Sequence, residues 1–121
     1  MTKRILVVED LEDNRQILRD LLATTDYEVI EAENGEEALA AVAKQRPDLI
    51  LMDIQLPILD GYEATRRIKA DSALSSIPII AVTSYALSGD EAKARAAGCD
   101  DFVPKPYSPR QLLAKIRQYL P

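Results

Sequence analysis

Five side chains of this sequence could do chemistry together: Glu9, Asp10, Asp53, Thr83 and Lys105. Three carboxylates in a chain without histidine suit a hard divalent cation with oxygen ligands, Mg²⁺ first and Mn²⁺ as its alternative. A hydroxyl and an ammonium beside such a cation can hold phosphoryl oxygens. An aspartate nucleophile, a metal and a lysine together describe transfer of a phosphoryl group onto a carboxylate. Neither G-x-G-x-x-G nor G-x-x-x-x-G-K is present, so a bound nucleotide is not implied. Singly, each residue has a plainer reading. Glu9 and Asp10 could be solvated loop acids, Asp53 a turn residue, Thr83 a strand residue and Lys105 a surface cation. Their common position is what argues against coincidence.

That position is the end of a strand. Leu49-Ile50-Leu51-Met52 is apolar without alternation, as in a strand buried on both faces, and it runs out on Asp53 before Pro57. Ile5-Leu6-Val7-Val8 ends on Glu9 and Asp10, Ile79-Ile80-Ala81-Val82 ends on Thr83, and Asp101-Phe102-Val103-Pro104 leads into Lys105. Tyr27-Glu28-Val29-Ile30 alternates in part and reads as a strand nearer an edge. Helices lie between these strands. Ile17, Leu18, Leu21 and Leu22 recur at helical spacing, and Ala38, Leu39 and Val42 give the inner face of a helix capped by Asn34. A third helix carries Tyr62, Thr65 and Ile68. Ser88-Gly89-Asp90-Glu91 and Ser108-Pro109-Arg110-Gln111 fit capping boxes, the second with proline at the first helical position. The helix from Ser88 is rich in alanine and should be weakly anchored; the last helix should bury Leu112, Leu113, Ile116 and Leu120. Strand and helix alternate five times, which implies a parallel sheet with helices on both faces. In such a sheet ligands bind at the carboxyl ends of the strands.

Composition narrows the rest. The 121 residues suit one domain, 1–121, with no effector domain expected. A net charge of -5 disfavours nucleic acid and anionic membrane as partners. No apolar stretch approaches the ~20 residues needed to span a bilayer, and Met1-Thr2-Lys3-Arg4 leads straight into a strand, without a signal peptide. The lone Cys99 can form no internal disulfide and has no histidine to activate it, so it reads as a packed residue and the setting as cytoplasmic.

The ordered set Val7-Val8-Glu9-Asp10, Leu51-Met52-Asp53-Ile54-Gln55-Leu56-Pro57, Asp60-Gly61, Val82-Thr83-Ser84 and Lys105-Pro106 resembles the receiver domain of bacterial two-component response regulators, the CheY-like superfamily, over the whole chain. The resemblance implies a flavodoxin-like α/β fold, (βα)5 and doubly wound, with a parallel five-stranded sheet in the order 2-1-3-4-5. It implies that Asp53 takes a phosphoryl group from a phosphohistidine on a sensor histidine kinase or phosphotransfer protein. Asp10, Asp53 and the backbone carbonyl of Gln55 would ligate Mg²⁺, with Glu9 acting through water. Thr83 and Lys105 would hold the phosphoryl group, and Lys105-Pro106 would be cis. Thr83 and Phe102 would form the switch. Gln55 and Tyr85 would modulate dephosphorylation, the bulk of Tyr85 slowing it. A downstream protein would read the face made by the Ser88–Ala97 helix, the Phe102 strand and the Ser108–Leu120 helix. Two departures stand out: Glu9 where aspartate is frequent, and Phe102 where tyrosine is frequent. Two other readings are a receiver-fold binding module that is never phosphorylated, and a small Mg²⁺-dependent phosphohydrolase. The hydrolase would need a general acid two residues after the nucleophile, where Gln55 stands.

Overall fold

A computed structural model of the chain describes residues 2–83 and 90–121. Among these, five strands alternate with five helices: β1 (Arg4–Val8), α1 (Glu12–Leu22), β2 (Glu28–Ala32), α2 (Gly35–Gln45), β3 (Leu49–Asp53), α3 (Gly61–Ala70), β4 (Ile79–Thr83), α4 (Asp90–Ala97), β5 (Asp101–Pro104) and α5 (Pro109–Tyr119). All pairings are parallel and the strand order is β2-β1-β3-β4-β5. The expected sheet is therefore the observed one.

The two-residue period of the strands builds two cores, one on each face. Leu6 and Val8 of β1, Ile50 and Met52 of β3, and Ile79 and Ala81 of β4 pack with Ala38, Val42, Ala64, Ile68 and Ala94 from α2, α3 and α4. Ile5 and Val7, Leu49 and Leu51, Ile80 and Val103 point the other way, onto Leu18 and Leu22 of α1 and Leu112 and Ile116 of α5. A strand covered on both sides has no face on which a polar residue is tolerated, which is why these runs do not alternate.

Local signals set the helix starts. The Asn34 side chain accepts from Glu37 N at 2.8 Å, the Asp60 side chain from Glu63 N at 2.9 Å and the Ser108 side chain from Gln111 N at 3.4 Å. Gly98, at φ 113, ends α4. On α4, Ala94 and Ala97 are the buried hydrophobics among the described side chains, as its alanine content suggests. The proposed cap at Ser88 lies outside the described residues.

Three expectations need correction. β2 runs from Glu28 to Ala32 and excludes Tyr27, because its length is set by pairing in register with Arg4–Val8 of β1 and not by its apolar run. Ile17 is 53% exposed, whereas Arg15 is 6% exposed. The inward stripe of α1 is thus Arg15, Leu18 and Leu22, and it includes an arginine in place of the expected Ile17. Leu39 and Leu113 are only partly buried, at the margins of the two cores.

Candidate functional site

Parallel pairing carries the reactive side chains to one edge of the sheet. Val8 stands opposite Met52, Asp53 opposite Val82, and Thr83 opposite Pro104. The next residue beyond the β1 ladder is Glu9, so Glu9 and Asp53 end adjacent strands. They flank the point where the chain order reverses between β1 and β3, where a doubly wound sheet opens a crevice. Glu9, Asp53 and Thr83 are buried. Carboxylate oxygens of Glu9, Asp10 and Asp53 lie within 4.8 Å of one another. Oxygen-only donors crowded together in this way fit a hard divalent cation.

Lys105 comes to the same place from the far end of the chain. Its Nζ donates to Glu9 Oε1 at 2.7 Å and to Asp53 Oδ2 at 3.4 Å. Its backbone N donates to Thr83 O at 2.7 Å, and the Lys105–Pro106 peptide is cis. Asp53 Oδ1 accepts from Gln55 N at 3.0 Å, so the residue whose carbonyl was expected to face a metal also orients the aspartate.

The charges respond to this crowding. Burial pushes Asp53 up to about 6; the Gln55 N–H and Lys105 oppose the rise, while Glu9 adds to it. Burial would also raise Glu9, but hydrogen bonding to Lys105, to Asp10 and to Asp53, together with the charge of Lys105, outweighs it, and the group settles at about 2. Asp10 is raised by burial and by the neighbouring Glu9. Lys105 loses solvation by burial, yet its two carboxylate partners raise it. The crevice therefore holds an ionised Glu9, a cationic Lys105 and an Asp53 that is ionised above about pH 6. Cys99 is buried and its thiol is pushed up by burial, as befits a packed residue.

The switch candidates sit on the next two strands, β4 and β5. Thr83 ends β4, and Phe102 of β5 pairs with Ala81 and packs, partly buried, against the core layer that includes Met52. Tyr85 lies outside the described residues.

Two participants were not anticipated. Asn14 Nδ2 donates to Glu9 Oε1 at 3.2 Å. Arg15 Nη1 donates to the Glu9 carbonyl at 2.8 Å, and its guanidinium meets Glu12 at 2.6 Å, Glu33 at 3.1 Å and Glu31 at 3.2 Å. This buried arginine ties the turn that presents Glu9 and Asp10 to the edge of β2. Its spacing of three and seven from Leu18 and Leu22 was the available signal. Arg15→Ala should lower stability by ~2 kcal/mol, since it removes charged hydrogen bonds and leaves the Glu9 carbonyl without this donor. Urea denaturation would register this as a lower midpoint, and an unchanged midpoint would mean that the guanidinium is dispensable.

An apolar cavity of about 500 Å³ opens beside the acids and is lined by residues that include Asn14, Ile17, Leu18, Lys105 and Tyr107. No helix among the described residues is long and apolar enough to cross a membrane.

Known proteins share this arrangement. A profile of the response regulator receiver domain matches residues 5–117. The polar-differentiation response regulator DivK of Brucella anthropi is 46% identical over 120 residues, covering 99% of this chain and 98% of that protein. The DivK of Brucella ovis is 45% identical with the same coverage. Among solved structures, the receiver domain of the sensor histidine kinase PA1611 from Pseudomonas aeruginosa PAO1 is 37% identical, with a TM-score of 0.92 over 99% of this chain and 98% of that one. That structure has a magnesium ion coordinated in its active site cleft. The chemotaxis protein CheY4 of Vibrio cholerae is 28% identical, with a TM-score of 0.91 over 98% of this chain and 99% of that one. From the profile match and this similarity to DivK, the chain belongs to the response regulator receiver domain family, whose members are signalling proteins of phosphorelays served by histidine kinases or phosphotransfer proteins, not conventional enzymes.

Proposed function

We propose that Asp53 is the phosphoryl acceptor. The observation that carries this reading is a buried carboxylate at the switch point of the sheet, within 4.8 Å of two further acids and held by a lysine. An Asp53 oxygen attacks phosphorus, the bond from phosphorus to the donor imidazole breaks, and that nitrogen keeps the electron pair. Mg²⁺, or Mn²⁺ in its place, would be held by Asp10, Asp53 and the Gln55 carbonyl, with Glu9 acting through water. The ion supplies charge neutralisation for the incoming phosphoryl oxygens. Lys105 exchanges a carboxylate partner for one of those oxygens, and Thr83 offers its hydroxyl to another. The chain itself thus promotes formation and loss of its aspartyl phosphate. Gln55 and Tyr85 set the rate of loss. A phosphohydrolase gains no support, because the Gln55 amide has no acidic proton to give a leaving group. A silent module gains none either, because Asp53 and Lys105 are both in place.

The output would be a protein contact on the face of α4, β5 and α5. Thr83 drawn toward the phosphate makes room for Phe102, and α4, held through Ala94 and Ala97, is the element most easily moved. The protein would act in the cytoplasm. The direct test is incubation with acetyl phosphate and Mg²⁺ followed by intact-protein mass spectrometry. One added phosphoryl group, absent in EDTA, is the expected result. An unlabelled chain would refute the reading.

A further inference from the structure

The loop from β3 to α3 is fastened at both ends. Gly61 N donates to Ile54 O at 3.0 Å, and a Cβ on Gly61 would lie 2.4 Å from Asp53 O, so the loop closes directly onto the backbone of Asp53. Leu56 and Leu59 pack inward against the α2–α3 core. Between them Leu59 N donates to Pro57 O at 2.7 Å, closing a three-residue turn with Ile58 at its centre and φ 70. A turn closed this way around a positive φ is the rare, strained form of γ-turn, and a β-branched residue suits it poorly. Burial does not compensate, because the Ile58 side chain is 76% exposed.

Ile58 also has company. Three large hydrophobics are exposed among the described residues: Leu11 at 57%, Ile17 at 53% and Ile58. Leu11 follows Asp10, Ile17 lines the cavity shared with Glu9, Asp53 and Lys105, and Ile58 tops the loop that leaves Asp53. Scattered apolar residues on a surface need no explanation. Ile17 in the wall of the acidic crevice, with Leu11 and Ile58 on the segments that lead away from Asp10 and Asp53, points to a contact made while that crevice is in use.

We propose that Ile58 is a recognition residue for the protein phosphodonor, held outward on the strained turn to enter an apolar contact beside the donor's phosphohistidine. This rests on the reading of Asp53 as acceptor. A small donor such as acetyl phosphate has nothing to offer Ile58, whereas a protein must cover the rim of the crevice to deliver its phosphoryl group. Selection for that contact explains why an isoleucine stands where glycine or asparagine would relieve the backbone.

The test compares two donors on wild type, Ile58→Asn, Ile58→Gly and Ile58→Val. The protein donor is the purified, autophosphorylated sensor kinase that labels the wild type fastest among those of the source organism. With acetyl phosphate, all variants should be labelled within about twofold of wild type. With the kinase, Ile58→Asn and Ile58→Gly should lose about tenfold in kcat/KM, the equivalent of one buried side chain, mainly through KM, and Ile58→Val should keep most of it. Both weakened variants should unfold no lower than wild type, as relief of strain requires. Equal rates from the kinase for every variant would overturn the proposal. So would parallel losses with both donors, which would place Ile58 in the acid site itself. A wild-type dimer dissolved by Ile58→Asn would also overturn it, assigning the residue to a contact between copies. Failure of acetyl phosphate to label the wild type would count against the acceptor reading instead.

Discussion

Asp53→Asn should take up no phosphoryl group from acetyl phosphate or kinase, and without metal it should be more stable than the wild type at pH 8. Both effects come from one buried carboxylate. The amide has no oxygen able to form an acyl phosphate, so labelling falls to background. The stability gain follows from the position of Asp53 at about 6, above its ordinary 3.8. Below pH 3.8 the group is protonated in folded and unfolded chains alike and costs nothing extra. As pH rises through 6 the folded state must carry a buried negative charge beside Glu9, and stability present in acid is lost. An asparagine escapes that loss. The gain should be small near pH 4, grow to pH 6 and level off at on the order of 2 kcal/mol. Mg²⁺ should reverse the ranking, since an ion held by the carboxylates stabilises the wild type in proportion to its binding and the variant much less. Thermal unfolding across pH, in EDTA and in millimolar Mg²⁺, reads all of this. Residual labelling equal to wild type would remove Asp53 from the central role, and a variant less stable at pH 8 would mean that its charge is not a burden.

Lys105→Ala should give the other large effect. The ammonium is shared by Glu9 and Asp53 at 2.7 and 3.4 Å, and both carboxylates are buried. Its removal leaves two like charges without their counter-ion, a loss of ~3 kcal/mol at pH 7 without metal. The pH window follows from Glu9, whose folded value of about 2 lies below its ordinary 4.5. That depression contributes stability above pH 4.5 that fades as pH falls through 2. Lys105 is the foremost group holding Glu9 down, so without it the contribution shrinks, and wild type and variant should differ most above pH 4.5 and converge in acid. Mg²⁺ should restore much of the deficit, because a divalent cation satisfies the same oxygens. Its affinity should be unchanged or higher, with a competing positive charge gone, while phosphotransfer is impaired. Urea midpoints with and without Mg²⁺, alongside the labelling rate, separate these outcomes. An unchanged midpoint in EDTA at pH 7 would contradict the assigned charge balance. Abolished Mg²⁺ binding in a folded variant would show that the lysine organises the metal site.

Much of this protein was legible along the chain because its information is local. Unbroken apolar runs of four residues announce strands buried on both faces, and an acid or a hydroxyl at the end of each run falls at the carboxyl edge of a parallel sheet, as does the lysine after Asp101–Pro104. Asn34 and Ser108 announce helix starts because a cap needs only a side chain and a backbone N–H three residues on. The absence of histidine steers the site toward oxygen chemistry before any fold is known.

What only the tertiary structure decided concerns partners distant in sequence. Lys105 and Glu9 are 96 residues apart, and their pairing, which sets the charge of the crevice, exists only once β1 and β5 lie in one sheet. The inward place of Arg15 depends on Glu31 and Glu33 being brought alongside by β2, since a guanidinium is buried only where carboxylates and a carbonyl await it. Periodicity showed that α1 has an apolar side but not that Ile17 lies beyond its edge, because the packed stripe is chosen by the strands beneath it. The turn at Ile58 has no signal in composition: isoleucine resists a positive φ, and the packing of Leu56 and Leu59 together with the Gly61 closure imposes it from both sides. Local preferences therefore named the elements and the residues that end them at the crevice, whereas long-range packing set which charges meet and which apolar side chains remain in water.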